Sequence, residues 1–380
     1  MTNEVLQKTA SDEQNVSSSN GLEPRLRFPS FDNKWTLTTI GNVCAFTNGK
    51  AHEQNVVEYG EYIIVNSKFI SSDGVVKKYS NKQICPLFKN DIVMVMSDVP
   101  NGKAMSKCFC IDKDNKYTLN QRICALRTKQ IPLYYMMQIN RNDYFMKFDD
   151  GVKQTNLRKD DVLACPVYST TIKEQTKIAD FLSLIDQRIE KQRQLVESLK
   201  KYKRGALSRV FNDVLETVKL SDISNFISSA RTLSTTLNGN KGIYPVYDAA
   251  GIAGYIDYYD IDSDYITIVK DGSGVGRLQK CDKKSSFIGT LGALVAKNCT
   301  TDFLYAVLQT IDFSKFVTGM AIPHIYYRDY KSTLLPFPSE EKQHFISQLL
   351  KKFDIYIENE TQKLTNMLAY KQGLLQQMFI

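Results

Sequence analysis

Between Leu37 and Phe379 the chain reads as one unit written twice, and a repeat of that length constrains the fold to two related domains, not a small-repeat array. In the later part of each copy the alignment is gapless at an offset of 168 positions (343 less 175): Gln175 with Gln343, Ile178 with Ile346, Leu182 with Leu350, Asp186 with Asp354, Ile189 with Ile357, Glu190 with Glu358, Tyr202 with Tyr370, Lys203 with Lys371, Gly205 with Gly373, Leu207 with Leu375 and Phe211 with Phe379. Upstream, the loop 151–157 lies over 319–325 and Asp161 over Asp329 at the same offset. Near the start of each copy, 37–42 resembles 220–225 and 60–62 faces 242–244 at an offset of 182 or 183, so the intervening loops differ by insertions. A shared frame with divergent loops is expected of two heads that read different things.

A chain of 380 residues holds two or three domains with cores of their own. No uncharged apolar run reaches the roughly 20 residues of a membrane span. The first 23 residues, rich in Ser, Asn, Gln and Glu, contain no apolar block of a secretory signal, and residues 1–24 are expected to be a disordered tail. Eight cysteines fall at unmatched places in the two copies without a Cys-x2-Cys spacing, so buried free thiols in a reducing cytoplasm are expected. The net charge of +8 permits an anionic partner. It is uneven: residues 31–165 carry 19 Lys and Arg against 14 Asp and Glu, whereas residues 212–339 carry 12 against 13. A second head that binds nucleic acid must therefore use a local patch.

After Pro166 and Pro336 the texture changes to long proline-free stretches. Ile178, Leu182, Ile185, Ile189, Val196 and Leu199 alternate spacings of four and three, with Gln192 on the seam; Ile346, Leu350, Phe353, Ile357, Leu364 and Met367 repeat the pattern with Glu360 at the matching place. That heptad spacing predicts two long helices with coiled-coil packing. Each stretch of about 40 residues reaches about 60 Å at 1.5 Å per residue. Equivalent helices in one chain bury both seams by pairing antiparallel about a pseudo-twofold axis, which would put the heads at opposite ends of a fixed spacer. Gln192 and Glu360 either fix register or are solvated defects, and the basic run 200–204 is either a phosphate contact or a solvated helix face. Gly205 and Gly373, costly inside a helix, point to a close backbone approach or a bend.

The heads read as mixed α/β, with strands expected at 62–65, 91–96, 265–269 and 286–288 and helices at 133–140 and 301–310. Their loops carry Lys, Arg, Asn, Gln and Tyr, which suit phosphates and base edges. Catalytic patterns are missing. His52, His324 and His344 have no cysteine or acidic partner at metal-ligand spacing. Gly272-Ser273-Gly274-Val275-Gly276 has its third glycine misplaced for a dinucleotide fingerprint and reads as a tight turn; a Gly-x4-Gly-Lys-Ser/Thr loop and an Asn-Pro-Pro-Tyr or Asp-Pro-Pro-Tyr methyltransferase segment are both absent.

The ordered duplication, the opening segment 24–31 with Trp35, and the repeated Gly-x5-Leu/Ile loop at Gly151 and Gly319 together resemble the specificity subunit of type I DNA restriction–modification systems. The resemblance covers nearly all of the chain after residue 24. It implies two mixed α/β target recognition domains joined by two long helices in an antiparallel intramolecular coiled coil: a tail at 1–24, a first recognition domain at 25–166, a first spacer helix at 167–211, a second recognition domain at 212–336 and a second helix at 337–380. Each head would read half of a bipartite target in double-stranded DNA. The chain itself would be non-catalytic and prokaryotic cytoplasmic. It would dock two methyltransferase subunits that bind S-adenosylmethionine and methylate adenine at N6, within a complex whose restriction subunits use ATP and Mg2+.

The resemblance makes Lys153, Gln154, Asn156, His324 and Tyr326 candidates for DNA contact from the repeated loops. Asn120 and Arg122, and Lys270, Arg277 and Lys280, are further candidates on polar turns. Tyr202, Leu207, Phe211, Tyr370, Leu375 and Phe379 either dock partner subunits or pack on the protein's own heads. Two rivals remain: a coiled-coil adaptor whose heads bind proteins, and a nuclease, against which the absence of an acidic cluster with a partnering Lys counts.

Overall fold

The structure, a computed structural model, describes residues 23–379 apart from 100–103, 150–153, 229–236, 238–241, 273 and 320–321. The expected tail falls almost wholly outside the described residues. Two compact units are present, one from Met1–Glu190 with Thr365–Ile380 and the other from Lys191–Leu364.

The same frame is built in each unit. In the first, antiparallel strands stand in the order Cys44–Asn48, Ile123–Thr128, Ile92–Val95, Cys108–Cys110; in the second, the order is Ser224–Ile227, Leu291–Ala296, Tyr265–Val269, Leu278–Cys281. The central strands Ile92–Val95 and Tyr265–Val269 are buried throughout and rich in β-branched residues, as strands covered on both faces must be. A two-stranded ribbon, Thr36–Thr39 with Pro166–Ser169 or Thr217–Lys219 with Leu334–Pro336, closes each frame. A parallel pair, Tyr62–Val65 with Tyr117–Leu119 or Tyr244–Asp248 with Ser286–Phe287, lies beside it. Divergence sits around that pair: the first unit adds strands Val56–Val57 and Tyr79–Ser80, the second a hairpin strand Gly251–Ile256. The expected short helices appear as Pro132–Ile139 and Thr301–Leu308.

Two long helices follow, Ile172–Asn212 and Glu340–Met378. Both start on the same device. The Gln175 side chain donates to the Thr170 carbonyl at 2.8 Å and Gln343 to the Pro338 carbonyl at 2.9 Å, which satisfies a backbone acceptor beside each entry turn. Within the first unit, Ile178, Leu182, Leu374 and Met378 join one core with Trp35, and Lys371 Nζ meets Asp186 Oδ1 at 2.5 Å. Within the second, Leu207, Phe211, Ile346 and Leu350 share a core, and Lys203 Nζ meets Asp354 Oδ1 at 2.5 Å. Asp186 and Lys203 are the repeat mates of Asp354 and Lys371, so the same ion pair is made twice with the roles exchanged. In each unit low numbers on one helix face high numbers on the other, the antiparallel sense.

Gln192 Nε2 donates to Glu360 Oε2 at 2.7 Å and to the Glu360 carbonyl at 2.9 Å, and Glu360 is 5% exposed. These two are therefore partnered with each other, not solvated defects. A Cβ added to Gly205 or Gly373 would meet nothing within 4 Å, so the close backbone approach expected there is absent among the described residues. All eight cysteines are unpaired; six are buried and Cys110 and Cys299 half-buried. Burial pushes the Cys44, Cys124 and Cys165 thiols up to about 12. Among the described residues no helix is long and apolar enough to cross a membrane.

Candidate nucleic-acid interface

The repeated loop is anchored identically in both units. Leu157 and Ile325, its last apolar residue in each copy, are buried, and their amides donate to carbonyls at the end of the central strand: Leu157 to Met96 at 2.8 Å, Ile325 to Lys270 at 3.0 Å. The preceding residue is paired across in both cases, Asn156 with Ser97 and His324 with Asp271. An apolar plug thus fixes the loop, while the polar residue before it faces outward by strand alternation.

In the first unit this brings Gln154 to a recess of about 460 Å³ whose lining includes Asn66, Ser97, Asp98, Asn120 and Arg122, with Asn156 behind it, bonded to Ser97. Gln154 Nε2 donates to Ser97 Oγ at 2.6 Å, Ser97 Oγ donates to Asn156 Oδ1 at 2.7 Å, and Asn156 Nδ2 donates to the Gln154 carbonyl at 3.3 Å. The other wall is a strained turn. Arg122 has φ 66°, in the left-handed region that L residues seldom occupy, and its carbonyl accepts from the Met96 amide at 2.9 Å. Gly49 lies so close that a Cβ there would stand 1.8 Å from the Asn120 carbonyl oxygen, so glycine is required. Asn120 Oδ1 is buried and has no hydrogen-bond partner among the described residues, the sort of acceptor that awaits a donor. Asp98 spends its carboxylate on the amides of Val99, Ala104 and Met105. Lys153 lies outside the described residues.

In the second unit His324 packs edge-on against Tyr326 with ring centroids 4.9 Å apart, and Arg328 stacks over Tyr326 at 4.7 Å. The loop turns at Gly319, φ 87°, where a Cβ would stand 2.4 Å from the Ile322 carbonyl oxygen. The glycine run is the tight turn expected, joining Tyr265–Val269 to Leu278–Cys281; the Gly272 amide donates to the Pro323 carbonyl at 2.9 Å and so ties the turn to the loop. Lys270, His324 and Tyr326 are brought together. Lys270 Nζ donates to the Ser228 carbonyl and Arg277 Nη1 to the Ala249 carbonyl, both at 3.0 Å. Lys280, opposite Ile266 at the far end of the strand pair, is ion-paired to Asp302 and stands apart from this group.

His52 is a satisfied core histidine: its Nδ1–H donates to the Lys50 carbonyl at 2.6 Å and Nε2 accepts from Thr118 Oγ1 at 2.8 Å. Among the described residues no three His, Cys, Asp or Glu side chains are grouped to hold a metal ion. Leu207 and Phe211 are core residues of the second unit, and Leu375 and Phe379 pack on the Trp35 and Tyr134 core of the first. Tyr202 and Tyr370 are exposed, at 67% and 61%. Ser97 and Arg328 were not legible as site residues, Ser97 because 57 residues separate it from Gln154 and only the sheet joins them.

Each unit thus holds a polar side chain out on a buried plug. The chain matches the type I restriction modification DNA specificity domain twice, over residues 32–201 and 212–368, and it belongs to that family. It is 29% identical over 151 residues to a protein of Mycoplasma pneumoniae described as type I specificity subunit S.MpnORF285P, covering 38% of this chain and 49% of that one. It is 27% identical over 115 residues to the EcoprrI type I restriction enzyme specificity subunit of Escherichia coli, covering 30% of this chain and 28% of that one. These matches span half or less of the relatives' own length. In fold it is similar to the S subunit of a type I restriction–modification system from M. genitalium, with a TM-score of 0.57 and 20% identity over 94% of this chain and 99% of the other.

Proposed function

We propose that the chain is the DNA-reading subunit of a type I restriction–modification complex, each unit reading one half of a bipartite target through its repeated loop. The observation that carries this is the identical anchoring of residues 154–157 and 322–325 on the strand end, with Gln154 and Asn156 presented in one unit and His324 and Tyr326 in the other. Amides pair with adenine edges and cations with phosphate or guanine, so one frame with two side-chain sets reads two sequences. The long helices form an antiparallel coiled coil about a pseudo-twofold axis and set the gap between the half-sites. The ion pair made twice with exchanged roles supports that symmetry, which is the intramolecular form of a self-complementary contact.

The chain itself would be non-catalytic. Two modification subunits would bring S-adenosylmethionine and adenine-N6 methylation, and restriction subunits ATP- and Mg2+-dependent cleavage, in a prokaryotic cytoplasm. Their docking would use the helix faces around exposed Tyr202 and Tyr370. Open space beside Gly205 and Gly373, a helical turn from each tyrosine, supports this.

Binding of the assembled complex to duplex DNA over a salt series tests the reading. The logarithm of affinity should fall linearly with that of salt, by about 0.9 per phosphate contacted. An affinity for DNA absent at every salt concentration would favour the adaptor instead. Asn156→Ala and His324→Ala should each weaken methylation governed by one half-site without unfolding the chain; unchanged methylation in both would remove the loops from the interface.

A further inference from the structure

Ser97 makes the first unit's recess directional. A serine hydroxyl has one hydrogen, and here it is given to Asn156 Oδ1 at 2.7 Å. The lone pairs left on Ser97 Oγ then meet a side-chain amide through its N–H and not its oxygen, and they take that of Gln154 Nε2 at 2.6 Å. Asn156 closes the ring by donating to the Gln154 carbonyl. Ser97 is itself 8% exposed, and its backbone is paired with that of Asn156. A side-chain amide that turns over exchanges its donor and its acceptor; because the Gln154 carbonyl only accepts, it holds Asn156 one way round, and through Ser97 that sets the sense of the Gln154 amide.

The two amides are left with different capacities. Asn156 has committed its oxygen and one N–H. Gln154 has committed one N–H alone, and among the described residues its Oε1 and second N–H have no intramolecular partner. Gln154 is exposed at the edge of the recess. An adjacent acceptor and donor on one amide match the N6–H donor and N7 acceptor of adenine in the major groove. The second unit lacks the relay, because Asp271 and His324 occupy the places of Ser97 and Asn156.

Resting on the DNA-reading function above, we infer that Gln154 reads an adenine in the half-site of the first unit and that Ser97 is the positioning residue that fixes its choice. The assembled complex is offered a duplex library randomised across both blocks of its motif, and bound molecules are sequenced. With the native chain, one position of one block should be held to A·T. Ser97→Ala should lower discrimination there on the order of tenfold, the scale of one paired contact, while the other block stays as sharp as before. Ser97→Thr, which keeps the hydroxyl, should restore it. Gln154→Ala, a surface change that leaves the fold intact, should loosen the same position and serves if Ser97→Ala does not fold. A native complex that selects no motif would overturn the DNA reading and this inference together. A native motif that Gln154→Ala leaves untouched, or that Ser97→Ala blunts equally in both blocks, would overturn the inference alone.

Discussion

Glu174 stands in the first turn of the first long helix with its side chain fully buried, and three side chains converge on it through four hydrogen bonds. Arg27 grips it through Nε at 2.7 Å and Nη2 at 2.9 Å, Trp35 Nε1 donates at 3.2 Å, and Thr170 Oγ1 donates to the same carboxylate. Burial pushes the carboxyl up, but the Arg27 guanidinium, Thr170 and Trp35 together outweigh it and hold Glu174 below its ordinary value. The Leu26 amide donates to the Gln377 carbonyl at 2.9 Å, so the opening segment is also tied to the last helical turn. The corresponding place in the second copy is Lys342, and the clamp belongs to the first unit. Glu174→Gln leaves Arg27 without its counter-charge and should lower the first unit's stability by about 3 kcal/mol, the low end for a broken buried pair because Arg27 keeps some water. Because the folded carboxyl is held low, its contribution is complete above the unfolded carboxylate pKa and is lost as pH falls through the lower folded value. Chemical denaturation at descending pH should show that loss in the native chain and a flatter profile in Glu174→Gln. At this scale the sequence exposed the anchoring loops through their repetition, whereas the clamp and Ser97 depend on contacts across 147 and 57 positions that no local pattern announces.

The long helices were the most legible elements, since heptad spacing states both that a helix forms and which face it buries. The seam is nonetheless uneven: Ile178, Leu182, Ile189, Val196, Ile346 and Leu350 are buried, while Phe353, Ile357, Leu364 and Met367 are half-covered. What spacing alone left open was Gln192 and Glu360, because a polar seam residue is stabilised only if its partner arrives. Lys363 and Gln192 together hold the Glu360 carboxyl below its ordinary value. Gln192→Leu removes one of those donors and should lower the denaturant midpoint, while Gln192→Leu combined with Glu360→Leu should recover it, since an apolar pair packs where a half-satisfied polar pair does not. Additive losses in the two single variants and their combination would mean that the side chains act separately. Deleting one heptad from each helix keeps every seam residue on its face and should change the number of base pairs between the recognised blocks; an unchanged gap would contradict the spacer role.

For the whole molecule, duplication explains more than any single motif. It gives two copies of one strand order and one loop anchor, and it confines difference to the accessory strands and to residues such as Ser97 against Asp271 and Asn156 against His324. On the proposed reading the target bases would be set by that difference, which follows no periodicity and so was not legible. Sequencing native DNA from cells with and without the gene, in the presence of its modification partner and scored for N6-methyladenine, tests whether the chain directs bipartite recognition. A methylated motif of two short blocks around a fixed gap, present only with the gene, is the expected result. Methylation that is identical in both cells, or a single continuous block, would contradict it.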